Sequence, residues 1–101
     1  MSTVFVEAPN SAQREMWDLC LYVANRTPKT VHALANLRKI CEQDLAGNFR
    51  LEVVDVLQQP ERAITDQVVA IPTLVRRSAK TNRRVIGDLS NGKRVLAALG
   101  F

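Results

Sequence analysis

Long apolar runs are missing from this 101-residue sequence. None approaches the ~20 residues that a membrane-spanning helix needs, so no membrane span is expected. The N-terminus lacks the charged-then-apolar pattern of a secretory signal, which points to a cytoplasmic protein. Histidine occurs once, as His32, and cysteine twice, as Cys20 and Cys41. A zinc site takes three or four ligands from His, Cys and acids, and no spacing here supplies them. Neither a metal nor any other cofactor is expected. In a cytosolic setting both cysteines are expected as reduced, inert core thiols, with Cys20 inside a strand and Cys41 on the core side of a helix. His32 is expected on an exposed or boundary helix position. No nucleophile–base pair and no GxxxxGKS loop is present, so no catalytic residue is assigned.

Aromatics are also few: Phe5, Trp17, Tyr22, Phe49 and Phe101. A protein that reads single-stranded nucleic acid needs stacking faces among its cations. None of the five lies among the basic residues of the second half. Nucleic acid therefore ranks well behind a protein partner.

What is present is a core and an uneven charge. At 47% apolar residues, the chain can fill one domain without staples. The formal charge is +4. Seven of the eight cations after residue 50 (Arg76, Arg77, Lys80, Arg83, Arg84, Lys93, Arg94) fall within 76–94, where Asp88 is the only acid. Two readings stay open. The stretch "RRVIGDLSNGKRV" is a basic strand and turn that meets an acidic protein surface, or it is a solvated edge whose arginines discourage strand-to-strand aggregation.

The patterning gives an element order. Residues 1–16 read as a flexible arm, and 17–101 as the folded domain. "LCLYVA", 19–24, is a strand buried on both faces. Thr27 caps a helix, Pro28 occupies its first position, and Gly47 ends it. Val31, Leu34, Leu37, Cys41 and Leu45 form its apolar stripe. "FRLEVVDV", 49–56, is a second strand, completing a right-handed βαβ unit. Pro60 starts a short helix running to about Val68, with Glu61 near its positive end. "AIPTLVRR", 70–77, is a third strand, 78–82 a turn, and "RRVIG" an antiparallel fourth strand. Gly87 breaks it, and Asp88 or Ser90 caps a last helix carrying Val95, Leu96 and Leu99. The fold class is α/β: β-α-β-α-β-β-α around a mixed four-stranded sheet.

This order is that of the thioredoxin fold, and Pro72 stands where that fold has a cis-proline before its third strand. A thioredoxin-like reductase needs a thiolate at the start of its first helix. Asn25-Arg26-Thr27-Pro28 stands there instead, so no reductase activity is expected. The segments "LYVANRTPKTVHALANLRKI", "EVVDVLQQPERA", "AIPTLVRR" and "RRVIGDLSN", covering roughly 19–99, resemble the KaiB family of circadian-clock proteins. That resemblance implies a non-enzymatic protein that binds KaiC, a hexameric RecA-like ATPase, and shifts its phosphorylation cycle or output signalling. It also implies a second fold, β-α-β-β-α-α-β, adopted in a tetramer, beside the thioredoxin-like monomer that binds KaiC. Self-association into a dimer or tetramer is compatible with this pattern. The segment that changes structure includes Gly87 and Asp88, and Pro72 precedes it.

Four features depart from the cyanobacterial pattern: Asn25 replaces a glycine, "SAKTN" replaces a proline-rich loop, an acidic stretch near 64–66 is reduced to Asp66, and no acidic tail follows Phe101. A branch of the family serving stress or metabolic signalling, or a thioredoxin-like stress protein with another client, is the alternative. The candidate partner surface joins the helix after Pro60 to the basic strand and turn, through Arg62, Arg76, Arg77, Arg83 and Arg84.

Overall fold

The computed structural model describes residues 3–7, 17–25, 27–45, 49–77 and 82–100. Among these described residues five strands and three helices follow in the order β1 (Thr3–Glu7), β2 (Trp17–Val23), α1 (Pro28–Asp44), β3 (Phe49–Asp55), α2 (Pro60–Thr65), β4 (Thr73–Arg77), β5 (Arg83–Ile86) and α3 (Gly92–Leu99). They make one sheet in the order β1-β3-β2-β4-β5. Only the β2–β3 pair is parallel, as a βαβ unit requires; the other pairs are antiparallel. The four expected strands are β2 to β5, and the expected thioredoxin-like order holds from β2 to α3.

The fifth strand corrects the flexible-arm expectation. Thr3–Glu7 pairs antiparallel with β3, from Thr3 opposite Val53 to Glu7 opposite Phe49. Its sequence, TVFVE, is rich in β-branched and aromatic strand formers. Pairing covers the otherwise open edge of β3. Residues 1–2 and 8–16 of that expected arm lie outside the described residues.

The strands alternate, so the sheet has two unlike faces. On one face Leu19, Leu21, Leu51 and Leu74 form a closed apolar core with Leu37 and Cys41 of α1 and Val95 and Leu99 of α3. On the other, Cys20, Tyr22, Val54 and Val75 make a smaller cluster with partly buried Val56, Ala63, Val68 and Ile71.

Helix α1 starts as its sequence dictates. The Thr27 hydroxyl accepts from the Thr30 amide at 3.3 Å, and Pro28 sits in the first turn. Its buried stripe differs from the one predicted by apolar spacing. Thr30, Ala33, Leu37, Ile40 and Cys41 are buried, Leu34 is only partly so, and Val31 is 52% exposed. Small residues line the packed side, where apolar periodicity gives them little weight. The helix ends at Asp44 with Leu45 as its cap, and Leu45 is buried. Gly47 lies outside the described residues.

Helix α2 ends at Thr65, short of Val68. Gln67 takes a left-handed φ of 57°, which stops the helix, and Asp66 turns its side chain inward. Strand β4 starts at Thr73 rather than Ala70, because the Thr73 hydroxyl bonds the Ala70 carbonyl at 2.6 Å and holds that segment in a turn. The Ile71–Pro72 bond is cis. Helix α3 is capped by Asn91, whose side chain accepts from the Arg94 amide at 3.1 Å, not by Asp88 or Ser90. Asp88 lies too far upstream to cap a helix starting at Gly92. Its carboxylate accepts from the Ser90 amide at 3.1 Å instead. This bend lets Leu89, at φ 64°, reach the core.

Candidate functional site

The face beneath α2 holds the polar chemistry of the molecule. Strand register sets it out in rows. Asp18 lies between Arg50 and Arg77, Cys20 between Glu52 and Val75, and Tyr22 between Val54 and Thr73. Strand β5 extends the last two rows with Arg84 beside Val75 and Ile86 beside Thr73.

Helix α2 buries none of its own residues fully, so apolar burial alone does not hold it. Polar contacts pin it to the sheet. Arg62 meets Glu52 of β3 in a two-pronged pair, Nη1 to Oε2 at 2.5 Å and Nη2 to Oε1 at 2.6 Å. Such parallel pairing is among the stronger protein hydrogen bonds. The Tyr22 hydroxyl donates to the Asp66 carboxylate and lies 3.3 Å from the Arg62 carbonyl. Arg77 donates to the same Asp66 oxygen at 2.8 Å and lies 3.4 Å from the Tyr22 hydroxyl. Burial, then the bond to Asp66, pushes the Tyr22 phenol well above its usual range. Burial likewise pushes the Cys20 thiol above its ordinary 9.0. Both groups stay neutral under the helix, as an apolar pocket favours.

The five candidate arginines do not form one patch, which corrects the surface expected from their closeness in sequence. Arg62, Arg77 and Arg84 face the α2 side. Arg76 and Arg83, opposite one another in the β4–β5 register, face the α1/α3 side. There Arg76 stacks over the Trp17 ring, 3.7 Å from its centroid, and donates to the Leu99 carbonyl at 2.8 Å. Arg83 lies against the end of α3, where a Cβ on Gly100 would come 3.0 Å from its Nε. Alternation along a strand is the reason: neighbours in sequence point to opposite faces. Arg62 and Arg77 are committed to internal pairs. Arg84 is exposed and donates to the Gln67 carbonyl at 2.8 Å, tying β5 to the end of α2.

The elements that Arg84 ties together, β5 and the end of α2, carry exposed apolar side chains that the charge pattern does not reveal. Ile64 is 77% exposed, Val69 87% and Ile86 56%. Tyr22, Glu52 and Asp66 are further residues that reading the arginines alone does not find. Two signals for them exist. The alternation Leu19-Cys20-Leu21-Tyr22 puts the tyrosine opposite the leucines, and a buried tyrosine hydroxyl needs a partner. Glu52 interrupts an apolar strand at an inward position.

The candidate switch residues meet at the base of the β4–β5 ribbon. The Gly87 amide donates to the Pro72 carbonyl at 2.9 Å, and Gly87 has a φ of 119° that few other residues adopt. Asp88 follows, with its carbonyl accepting from the Asn36 side chain at 2.8 Å. His32 is exposed on α1, and Cys20 and Cys41 are buried and not joined in a disulfide. Among the described residues no helix is long and apolar enough to cross a membrane.

Comparison with known proteins agrees with this architecture. The KaiB domain family matches residues 20–101. The chain belongs to the KaiB family. The circadian clock oscillator protein KaiB of Prochlorococcus marinus (strain MIT 9312) is 44% identical over 88 residues, covering 87% of this chain and 84% of that protein. The circadian clock protein KaiB3 of Synechocystis is 37% identical over 81 residues, covering 80% and 79%. Among solved structures, the N-terminal domain of SasA from Synechococcus elongatus superposes with a TM-score of 0.68 at 18% identity, over 94% of this chain and 93% of that one. Oxidised mitochondrial thioredoxin 3 from Saccharomyces cerevisiae gives the same TM-score and identity over 85% and 78%. These two likenesses establish the thioredoxin-like fold of this KaiB family member.

Proposed function

We propose that this protein is a regulator without catalytic chemistry of its own, which binds a KaiC-like hexameric ATPase and modulates its phosphorylation cycle or output signalling. The observation that carries this reading is the family match over residues 20–101, on a chain already in the thioredoxin-like arrangement. The α2 side supplies a surface for it. Ile64, Val69 and Ile86 are large apolar side chains left in water, and Arg84 stands among the same elements. Apolar anchors with an arginine are the composition of a binding patch. Within it Arg62 and Arg77 act from below, by fixing α2 through Glu52 and Asp66. Pro72, Gly87 and Asp88 serve as the hinge at which the second half changes arrangement.

The test is size-exclusion chromatography of the protein with and without a KaiC-like hexamer and ATP. Co-elution that weakens in Ile64→Asp and Arg84→Glu supports the reading. Reversing Arg84 acts mainly on association rate and salt dependence. Elution unchanged by the hexamer at low salt overturns it and leaves the alternative of a different client.

A further inference from the structure

The free edge of the sheet is built to receive another strand. Strand β5 is the last of the sheet, and among the described residues none pairs on its outer side. Its register identifies which groups face outward. The Gly87 amide bonds to the Pro72 carbonyl, so Gly87 and Pro72 form a hydrogen-bonded pair. In an antiparallel ladder such pairs alternate. Val85 opposite Leu74 and Arg83 opposite Arg76 therefore bond inward, whereas Arg84 and Ile86 aim their amides and carbonyls away from β4.

Beside this edge runs an open groove of about 380 Å³ between β5, the bend after it and α3. Val85, Val95 and Ala98 give it an apolar wall. Arg94 is its cation on α3, Arg84 lines it from the edge strand with its guanidinium turned to the α2 side, and Asp88 is the one acid among the described residues that line it. The charge selects the occupant. A second copy pairing β5 to β5 would bring both copies' arginines along one ribbon, and like charges across a ribbon destabilise it. An acidic strand would neutralise them. We propose that the β5 edge and its groove bind an extended acidic segment of a partner protein by strand addition, with alternate apolar side chains of that segment against the α3 wall. The ATPase reading is not required for this: Arg84 and Ile86 are shared with the α2-side patch, but Arg94, Val95 and Ala98 of the groove belong to α3, so Arg94→Glu tests this surface apart from that one.

The probe is a capped hexapeptide of alternating valine and glutamate, added at millimolar concentration and low salt to the ¹⁵N-labelled full chain. Saturation by a weak ligand slows exchange of the amides it covers by about tenfold when it stands at about ten times its dissociation constant. Slowing is expected at Arg84 and Ile86 and not at Val85 or Gly87, which are already bonded to β4. Ile86→Pro removes an outward amide that the fold does not use, and it should abolish the effect. Arg94→Glu, on the helix surface, should weaken it, as should added salt. Four outcomes overturn the proposal: equal binding of a valine–lysine peptide, slowing confined to other residues, no slowing at all, and protection of Arg84 and Ile86 that grows with protein concentration without peptide. The last would make the edge a contact between copies.

Discussion

Replacing Asp66 with alanine should loosen α2 and lower stability by more than any exposed substitution. The Asp66 carboxylate is 9% exposed and holds two partners, the Tyr22 hydroxyl and Arg77 at 2.8 Å. Removing it strands a guanidinium and leaves the hydroxyl with weaker contacts. Breaking a fully buried ion pair costs about 3–5 kcal/mol. The Arg77 side chain is 30% exposed, so water recovers part of that charge. About 2–3 kcal/mol remains, including the lost hydrogen bond to Tyr22. For a domain of this size that lowers the melting temperature by roughly 10–20 °C. Tyr22→Phe, which removes the hydroxyl and leaves the ion pair, should cost about 1 kcal/mol. Urea denaturation followed by circular dichroism measures both. Hydrogen exchange should show the α2 amides losing protection ahead of α1, since α2 has no buried residue of its own. A cost for Asp66→Ala under about 0.5 kcal/mol, the range of surface changes, would refute polar pinning of this helix.

Three further outcomes are expected. Asn91→Ala should cost about 1 kcal/mol by removing the cap of α3, and Asp88→Ala less, which thermal melts can rank. Asn25, at φ 56°, stands where a glycine is free of strain, so Asn25→Gly should be neutral or slightly stabilising and Asn25→Val destabilising by about 1 kcal/mol or more in the same melts. Cys20 and Tyr22 are held protonated in the folded state, above ordinary values of 9.0 and 10.0. Their contribution to stability is intact below pH 9 and declines as pH rises beyond it, because the unfolded chain then releases protons that the folded one keeps. Cys20→Ala should flatten the fall in urea midpoint between about pH 8.5 and 10.5; an unchanged slope would be the contrary result.

Much of the fold is legible in the sequence because its signals are local. Thr27-Pro28 names the start of α1 by the chemistry of one hydroxyl and one ring. The continuous apolar run at Leu19–Val23 names a central strand, and Gly87 names a break. Where the expectation failed, the deciding term lay elsewhere in the chain. Val31 looks like core by spacing, yet the sheet meets Thr30 and Ala33 instead, since small side chains allow a close approach. Thr3–Glu7 looks like part of a loose arm until β3 offers it an edge. Asp88 and Ser90 are good caps, but the left-handed turn at Leu89 delays the helix by a few residues and gives the role to Asn91.

The site was harder to see because charge is counted along the chain and acts across faces. Arg76 and Arg77 are adjacent in sequence and serve opposite sides of one sheet, one on Trp17 and one on Asp66. A cluster of cations is therefore two half-clusters, each with its own task. The arginines beneath α2 are largely neutralised from within, so their positive charge reaches a partner less than Arg84 does. It follows that charge reversal at Arg62 or Arg77 would report on the integrity of α2 rather than on recognition. Only a change at exposed Ile64 or Ile86 separates binding from folding, since Arg84 also ties β5 to the end of α2. A variant set that included Arg62 and Arg77 as contact residues would show loss of binding for the wrong reason. The exchange rates of α2 amides in the free protein distinguish the two cases, since a true contact residue leaves them unchanged.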